Sequence, residues 1–122
     1  MVKFREHVLS TGKKIIGGRS AENNDELVKN SKRSETLLHT KEPGSPFVNV
    51  GESPTKKEIK EAAIFCAGHS QTWRDGKTDV LVNVFKKSDM EKGIFMKKGS
   101  WKVKKSDTIK IRKSEVEGFE KK

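Results

Sequence analysis

The residues best able to do chemistry, apart from the lysines, are one cysteine and three histidines, and their spacing limits their use. Cys66 and His69 are one helical turn apart, so with His39 they could form a zinc site or a Cys-His nucleophile pair. A structural zinc ion takes four ligands, and Cys66 falls among apolar residues, where a neutral thiol packs as a small hydrophobic group. The pattern therefore favours a structural role, and we predict no catalytic residue, no metal site and no cofactor.

Other short motifs give no catalytic assignment. The pair Gly17-Gly18 lies before Arg19, but a Walker phosphate loop requires a longer glycine pattern ending in Gly-Lys-Ser/Thr, which is absent. A plain turn is the better interpretation. The Gly-x-Ser-x-Gly elbow of serine hydrolases is also absent.

A polar loop between two apolar strands holds the first set of candidate binding groups. Residues 35–50 read as a strand ending in His39, a loop with two prolines and a glycine, and a second strand beginning at Phe47. Loops held by rigid elements commonly carry binding groups, although a simple connection is the alternative. The candidate contacts on this side are Arg19, His39, Lys41, Gly44 and Ser45.

The lysine-rich last third provides the second set. Apolar residues alternate with cations in 101–104 and 109–112, which predicts a hairpin with Val103 opposite Ile109 and Lys102 opposite Lys110. Like charges directly opposed destabilise a sheet by some tenths of a kcal/mol, whereas a phosphate backbone would turn the repulsion into attraction. The alternative is a solvated face that keeps the protein soluble. The predicted phosphate contacts are Lys97, Lys98, Lys102, Lys104, Lys110 and Arg112.

Composition points to an anionic partner. The 122 residues contain 27 Lys plus Arg against 17 Asp plus Glu, a net charge of +10, which favours nucleic acid first and an anionic membrane second. The length fits one domain. We find no run of about 18 apolar residues and no signal-peptide core, and a single cysteine fits a reducing compartment, so a cytoplasmic location is expected.

The elements that must position these groups indicate an α+β fold. We predict a short helix over about 21–30 capped by Ser20 and a long helix over about 55–74, begun either by Ser53 or by Thr55. Residues 79–85 alternate as a central strand. The expected architecture is a single domain with a largely antiparallel sheet, divided into an extension at 1–13, a domain at 14–113 and a charged tail at 114–122.

The ordered set of motifs resembles a known family. The segment Gly17-Gly18-Arg19-Ser20-Ala21-Glu22-Asn23-Asn24-Asp25-Glu26-Leu27-Val28 is similar to the opening of the NFACT-R domain, the carboxy-terminal module of ribosome-associated quality-control proteins such as the nuclear export mediator factor. Further similarities follow in chain order and cover residues 14 to about 112. They are Glu35-Thr-Leu-Leu-His39, Pro43-Gly44-Ser45, the helix with Ala62-Ala63 and Ser70, and Lys98-Gly99-Ser100-Trp101.

This resemblance implies a noncatalytic RNA-binding module for structured RNA, either tRNA or ribosomal RNA, with the large ribosomal subunit as a further expected partner. Glu35 and Thr40 depart from the family's usual Asp and Ala, and the family's other domains do not occur in this sequence. Peptide tailing by full-length relatives is therefore not transferred. The alternative is an adaptor on ribosomal or translation proteins, in which the lysines meet acidic side chains. A third interpretation, a small enzyme, rests on Cys66, His39 and His69 alone.

Overall fold

The computed structural model describes residues 3–91 and 101–121, so the predictions for Lys97 and Lys98 lie outside the described residues. The described chain contains eight strands and four α-helices, with a 3₁₀ turn at Lys87–Asp89. The strands are β1 (Arg5–Val8), β2 (Lys14–Gly17), β3 (Glu35–Thr40), β4 (Val48–Glu52), β5 (Val80–Lys86), β6 (Met90–Glu91), β7 (Lys102–Val103) and β8 (Asp107–Ile111). The helices are α1 (Ala21–Asn30), α2 (Lys56–Gly68), α3 (Gln71–Gly76) and α4 (Lys113–Glu120).

Six strands form one antiparallel sheet in the order β1-β2-β4-β3-β5-β8, and β6 pairs with β7 in a separate ribbon. Successive residues of a strand point to opposite faces. Leu37 and Leu38 therefore lie on opposite faces of the central strand β3. Both are fully buried, each in a different core. The predicted α+β fold with a largely antiparallel sheet is confirmed.

The sheet separates two hydrophobic cores. On one face, Leu38, Val82 and Ile111 pack with the α2 residue Ala63 and the α4 residue Val116. On the other face, a smaller cluster joins α1 to β3, β5 and the β6–β7 ribbon. Its members include Leu27, Leu37, Phe47, Phe85, Trp101 and Val103.

Two of the helices, α1 and α2, begin where the sequence predicts. Helix α1 spans the predicted residues, and the Ser20 side chain accepts a hydrogen bond from the backbone N–H of Asn23 at 3.1 Å. At α2, the capping box forms from Thr55 and not from Ser53. The Thr55 side chain accepts from the Glu58 backbone at 3.1 Å, and the Glu58 carboxylate accepts from the Thr55 backbone at 2.9 Å.

The prediction of a single long helix over 55–74 is wrong, because α2 ends at Gly68 and α3 begins at Gln71. Ser70 causes the break. Its fully buried hydroxyl donates to the carbonyl of Ala67 at 2.7 Å and accepts from the backbone of Trp73 at 3.2 Å, so it caps α3. Ser70 lies on the apolar stripe at helical spacing, and that spacing alone cannot distinguish a continuing helix from a capped break.

The predicted hairpin between 101–104 and 109–112 is also wrong. Val103 lies opposite Met90 and Lys102 opposite Glu91, while β8 pairs with β5 and places Lys110 opposite Leu81. The two apolar sets serve different cores: Ile109 and Ile111 pack on the α2 face, whereas Trp101 and Val103 pack on the α1 face. Because the two sets do not share one face, Lys102 and Lys110 are not opposed and do not indicate a phosphate-binding face.

Both chain ends contribute to the fold. Residues 5–8, within the segment expected as an extension, pair with β2 at the sheet edge. Residues 113–120, which overlap the expected tail, form α4 and bury Val116 completely. None of the helices in the described part of the chain has the length and apolar character needed to cross a membrane.

Candidate nucleic-acid interface

A cavity of about 560 Å³ opens where the β2–α1 turn, the β3–β4 loop and the α2–α3 junction meet. Its volume falls within the range of about 300–1,000 Å³ that is usual for ligand sites. Residues of β1, β5 and β7 complete its walls. The cavity therefore draws on segments from Arg5 to Val103, including those that the sequence singled out between Gly18 and Pro46.

Five of the predicted contacts line this cavity, namely Arg19, His39, Lys41, Gly44 and Ser45. They come from two segments that are about twenty residues apart in the chain, and the sheet brings these segments together because β2 and β3 both pair with β4. Their participation in RNA binding stays a prediction.

Two arginines that the sequence did not single out, and a histidine that it considered only for a zinc or Cys-His site, complete the charged wall. Arg5 comes from β1, Arg74 from α3, and His69 from the junction between α2 and α3. Together with Arg19 and Lys41 they give the cavity four permanent cations, and no Asp or Glu occurs among its described lining residues. Such one-signed lining focuses positive potential in a concave site and attracts anions.

The environment of Arg5 shows how closely the cations lie. Partial burial is the main cause that lowers the pKa of its guanidinium, and the positive charges of Arg19 and Arg74 lower that pKa further. Its Nε atom is buried and has no hydrogen-bond partner within residues 3–91 and 101–121. Over the same residues, no carboxylate forms a salt bridge with these three arginines.

Burial lowers the pKa of both cavity histidines and so favours their neutral form. Burial lowers the pKa of His39, whose Nδ1–H donates to the carbonyl of Thr40 at 2.7 Å while its ring lies 4.4 Å from that of Phe47. That donation assigns the neutral tautomer and leaves Nε2 as an acceptor. Burial also lowers the pKa of His69, with smaller contributions from the charges of Arg5 and Arg74.

The β3–β4 loop is fixed by internal hydrogen bonds. Gly44 has φ +96°, a left-handed conformation that favours glycine, and its carbonyl accepts from the backbone of Gln71 at 2.8 Å. The Ser45 hydroxyl accepts from the Thr40 backbone at 3.0 Å and donates to the Pro46 carbonyl at 3.1 Å. The side chain of Ser45 thus holds the loop in shape.

Asn24 joins the two walls, and sequence reasoning did not assign it a role. Its Nδ2 donates to the carbonyl of Ser45 at 3.3 Å, and its Oδ1 accepts from the backbone of Phe47 at 3.0 Å. Gly18 is required beside it, because an added Cβ would lie 1.8 Å from Asn24 Oδ1. The structural role of a buried asparagine soon after a Gly-Gly turn can be assigned only when the structure shows its hydrogen-bond partners.

The cations of the predicted phosphate-binding hairpin do not lie on one face of the protein. The side chains of Lys102 and Lys104 reach the Glu91 carboxylate at 3.8 and 3.5 Å, and Lys110 on β8 reaches Asp79 at 3.5 Å. These groups belong to two different sheets, and Arg112 precedes α4. They remain exposed cations, but nearby carboxylates offset part of their charge.

The aromatic side of the cavity differs from the charged wall in chemical character. Phe47 and Phe85 are almost fully buried and pack edge to face at 6.3 Å, while Trp101 is half-buried and its Nε1 donates to Asp25 at 3.0 Å. All three residues line the cavity. It therefore offers cations and ring surfaces to the same occupant.

Cys66 lacks the reactivity of a catalytic nucleophile. Cys66 is completely buried, and burial raises the pKa of its thiol to about 12. The thiolate, which is the reactive form, is therefore negligible at neutral pH. In the described chain, no three His, Cys, Asp or Glu residues are grouped so that they could hold a metal ion.

The fold and the cavity together define a class: an α+β domain with a cationic, partly aromatic cavity. The family model described as "NFACT protein RNA binding domain" matches residues 3–105, and the chain belongs to this family. The family resemblance seen in the sequence is confirmed, and the family is an RNA-binding one.

The fold has a solved counterpart in the C-terminal part of the fibronectin/fibrinogen-binding protein from Streptococcus suis. The TM-score is 0.82 at 20% identity, and the match covers 95% of this chain and 48% of that chain. This chain thus spans about half the length of that structure, and the likeness concerns the fold. No curated protein matches the sequence significantly.

Proposed function

We propose that this chain is a noncatalytic module that binds structured RNA, either tRNA or ribosomal RNA, in the cytoplasm during translation or ribosome-associated quality control. The observation that carries the proposal is the cavity with four permanent cations and no acidic residue among its described lining. An RNA-binding family and a concave cationic site agree on a phosphate-rich ligand. The inert thiol of Cys66 supports a noncatalytic role.

Contacts to phosphate should make RNA binding depend on salt. Arg19 and Lys41 are exposed residues at the cavity, so Arg19→Gln and Lys41→Gln should weaken binding without changing the unfolding midpoint. Each variant should reduce the slope of log affinity against log salt by about 0.7 to 0.9 for each phosphate that the protein no longer neutralises. The matched control is Lys56→Gln at the exposed start of α2, outside the cavity, which should leave the slope unchanged.

Parallel titrations assign the partner. Purified tRNA, a ribosomal RNA fragment and an RNA-free acidic ribosomal protein should be compared at the same salt concentration. Binding of the acidic protein with an affinity equal to that of both RNAs would favour an adaptor role and refute RNA as the principal ligand. RNA recovered intact after prolonged incubation supports noncatalytic binding, and specific cleavage or modification would contradict it.

A further inference from the structure

The most distinctive feature of the cavity is that guanidinium groups and ring surfaces face the same space. Arg5, Arg19 and Arg74 line the cavity together with the half-buried rings of His39 and Trp101. A ligand that fills the site must therefore present a negative charge and a flat apolar face within a short distance. A phosphate alone satisfies only the first condition.

Paired and unpaired RNA differ in this respect. In a duplex the bases are stacked inside the helix, so a protein cavity meets chiefly phosphates and ribose hydroxyls. An unpaired nucleotide can extend its base toward aromatic side chains while its own phosphate meets an arginine. The volume of about 560 Å³ is that of a site for a small ligand and not that of a groove for a helix.

The cavity is also built before any ligand arrives. Asn24 holds the β2–α1 turn to the β3–β4 loop, and Gly44 is fixed to α3 through its bond from Gln71. Arg74 is oriented by bonds from its guanidinium to the carbonyl of His69 at 3.1 Å and to the side chain of Gln71 at 3.0 Å. The buried Nε of Arg5 still lacks a partner within the described residues.

We propose that this cavity binds a single unpaired nucleotide of an RNA strand, with its phosphate between Arg5, Arg19 and Arg74 and its base against His39 and Trp101. The inference rests on the proposed RNA-binding function and adds a preference to it. The protein should favour structured RNA that carries a single-stranded extension or a flipped-out base over a fully paired helix. Lys41, exposed at the same cavity, would contact the neighbouring phosphate.

The test compares two RNAs that share one hairpin, one blunt and one with a short single-stranded extension. Wild-type protein should bind the extended RNA at least about tenfold more tightly than the blunt one, in the range expected for stacking of one base. Arg74→Gln should bring the affinity for extended RNA close to that for blunt RNA. Arg33→Gln, an exposed residue of matched charge outside the cavity, should lower both affinities alike or neither and keep the preference.

Tryptophan fluorescence gives a readout inside the cavity. The protein has two tryptophans, and Trp73 is 1% exposed and bonded to Glu120, so a ligand that stacks in the cavity should quench Trp101. Extended RNA should quench the emission, blunt RNA should not, and Trp101→Phe should abolish the change while retaining the fold. Adenosine monophosphate at millimolar concentration should compete with extended RNA and spare the blunt RNA.

The outcomes separate this inference from the proposed function. Equal affinity for both RNAs would overturn the nucleotide site and leave RNA binding intact. Binding of neither RNA would refute the proposed function itself. Adenosine monophosphate bound as tightly as extended RNA would show a site for a free nucleotide, and it too would overturn the proposal that the occupant belongs to a strand.

Discussion

Asn24 and Gly18 lock two walls of the cavity together, and we predict that substitutions at these positions are strongly non-additive. Asn24→Ala removes the hydrogen bonds to Ser45 and from Phe47 and leaves a buried N–H without its partner. A buried group left unpaired costs about 1–3 kcal/mol, so the variant should lose about 2–4 kcal/mol of unfolding free energy. Gly18→Ala places a Cβ 1.8 Å from Asn24 Oδ1 and must displace that side chain, which breaks the same bonds.

Because both substitutions break the same hydrogen bonds, the double variant should cost little more than either single one. The expected coupling is about 2 kcal/mol, far above the deviation of about 0.5 kcal/mol seen for independent sites. Urea denaturation followed by fluorescence measures each free energy, with the m-value checked for constancy. The matched control is Gly118→Ala in α4, where an added Cβ meets no atom within 4 Å and the effect with Asn24→Ala should be additive. Additive free energies for Gly18 and Asn24 would refute the reasoning.

Four further predictions concern charge, packing and pH. Since burial and nearby arginines lower the pKa of His69, protonation opposes the free fold and is favoured by a bound anion. RNA, whose phosphodiester charge does not change in this range, should therefore bind more tightly as pH falls from about 7.5 to about 5.5, and His69→Gln should flatten the profile. In the same window below about pH 6.5 the free protein should lose stability in thermal unfolding, because the unfolded state binds more protons. Gly44→Ala should cost at least about 1–3 kcal/mol in urea unfolding, because φ is +96° and the added Cβ would lie 2.7 Å from the Gln71 side chain; an unchanged midpoint would contradict this geometry. Cys66, with a thiol pKa of about 12 and no exposure, should react with iodoacetamide only on unfolding, and rapid labelling of the native protein would show that the thiol is accessible. Lys102→Glu should destabilise the ribbon by some tenths of a kcal/mol through repulsion with Glu91, and adding Glu91→Lys should restore it; a stabilising Lys102→Glu would support the sequence-based hairpin instead.

Local signals in the sequence predicted local structure well. Ser20 and the pair Thr55/Glu58 determine where α1 and α2 begin, because a cap depends on residues within one turn of each other. The sequence predicts a central strand at residues 79–85, and β5 does lie between β3 and β8. Capping and alternation are properties of short segments, and the rest of the chain does not alter them.

Pairing between distant segments was not predictable in the same way. The alternation of Trp101 and Val103 matches that of Ile109 and Ile111, and nothing in their local pattern shows that they pack into opposite cores. Only the position of Met90 and Glu91, which pair with β7, decides the register. A period of two residues determines which side chains share a face of one strand, but it carries no information about which strand lies next to it.

For the candidate site, the sequence indicated one half of the cavity and missed the other. Arg19 and Lys41 lie in segments with clear turn signals, so they were recognised as exposed cations in shaped loops. Arg5 and Arg74 lie in a weakly patterned strand and a short helix, and they reach the cavity only because β1 pairs with β2 and α3 is bonded to the β3–β4 loop. Their contribution is a consequence of topology.

The cavity is distinguished by the electrostatic repulsion among its cations. The charges of Arg19 and Arg74 act on Arg5 strongly enough to lower its pKa beyond the effect of burial, and no carboxylate among the described residues pairs with any of the three. A fold selected for stability alone gains nothing from holding like charges together around an open space. The proposed phosphate ligand would remove this repulsion in the native state and would have no equivalent site in the unfolded chain. Binding and folding are therefore linked, and occupation of the cavity should stabilise the domain in proportion to the logarithm of the ligand concentration above its dissociation constant.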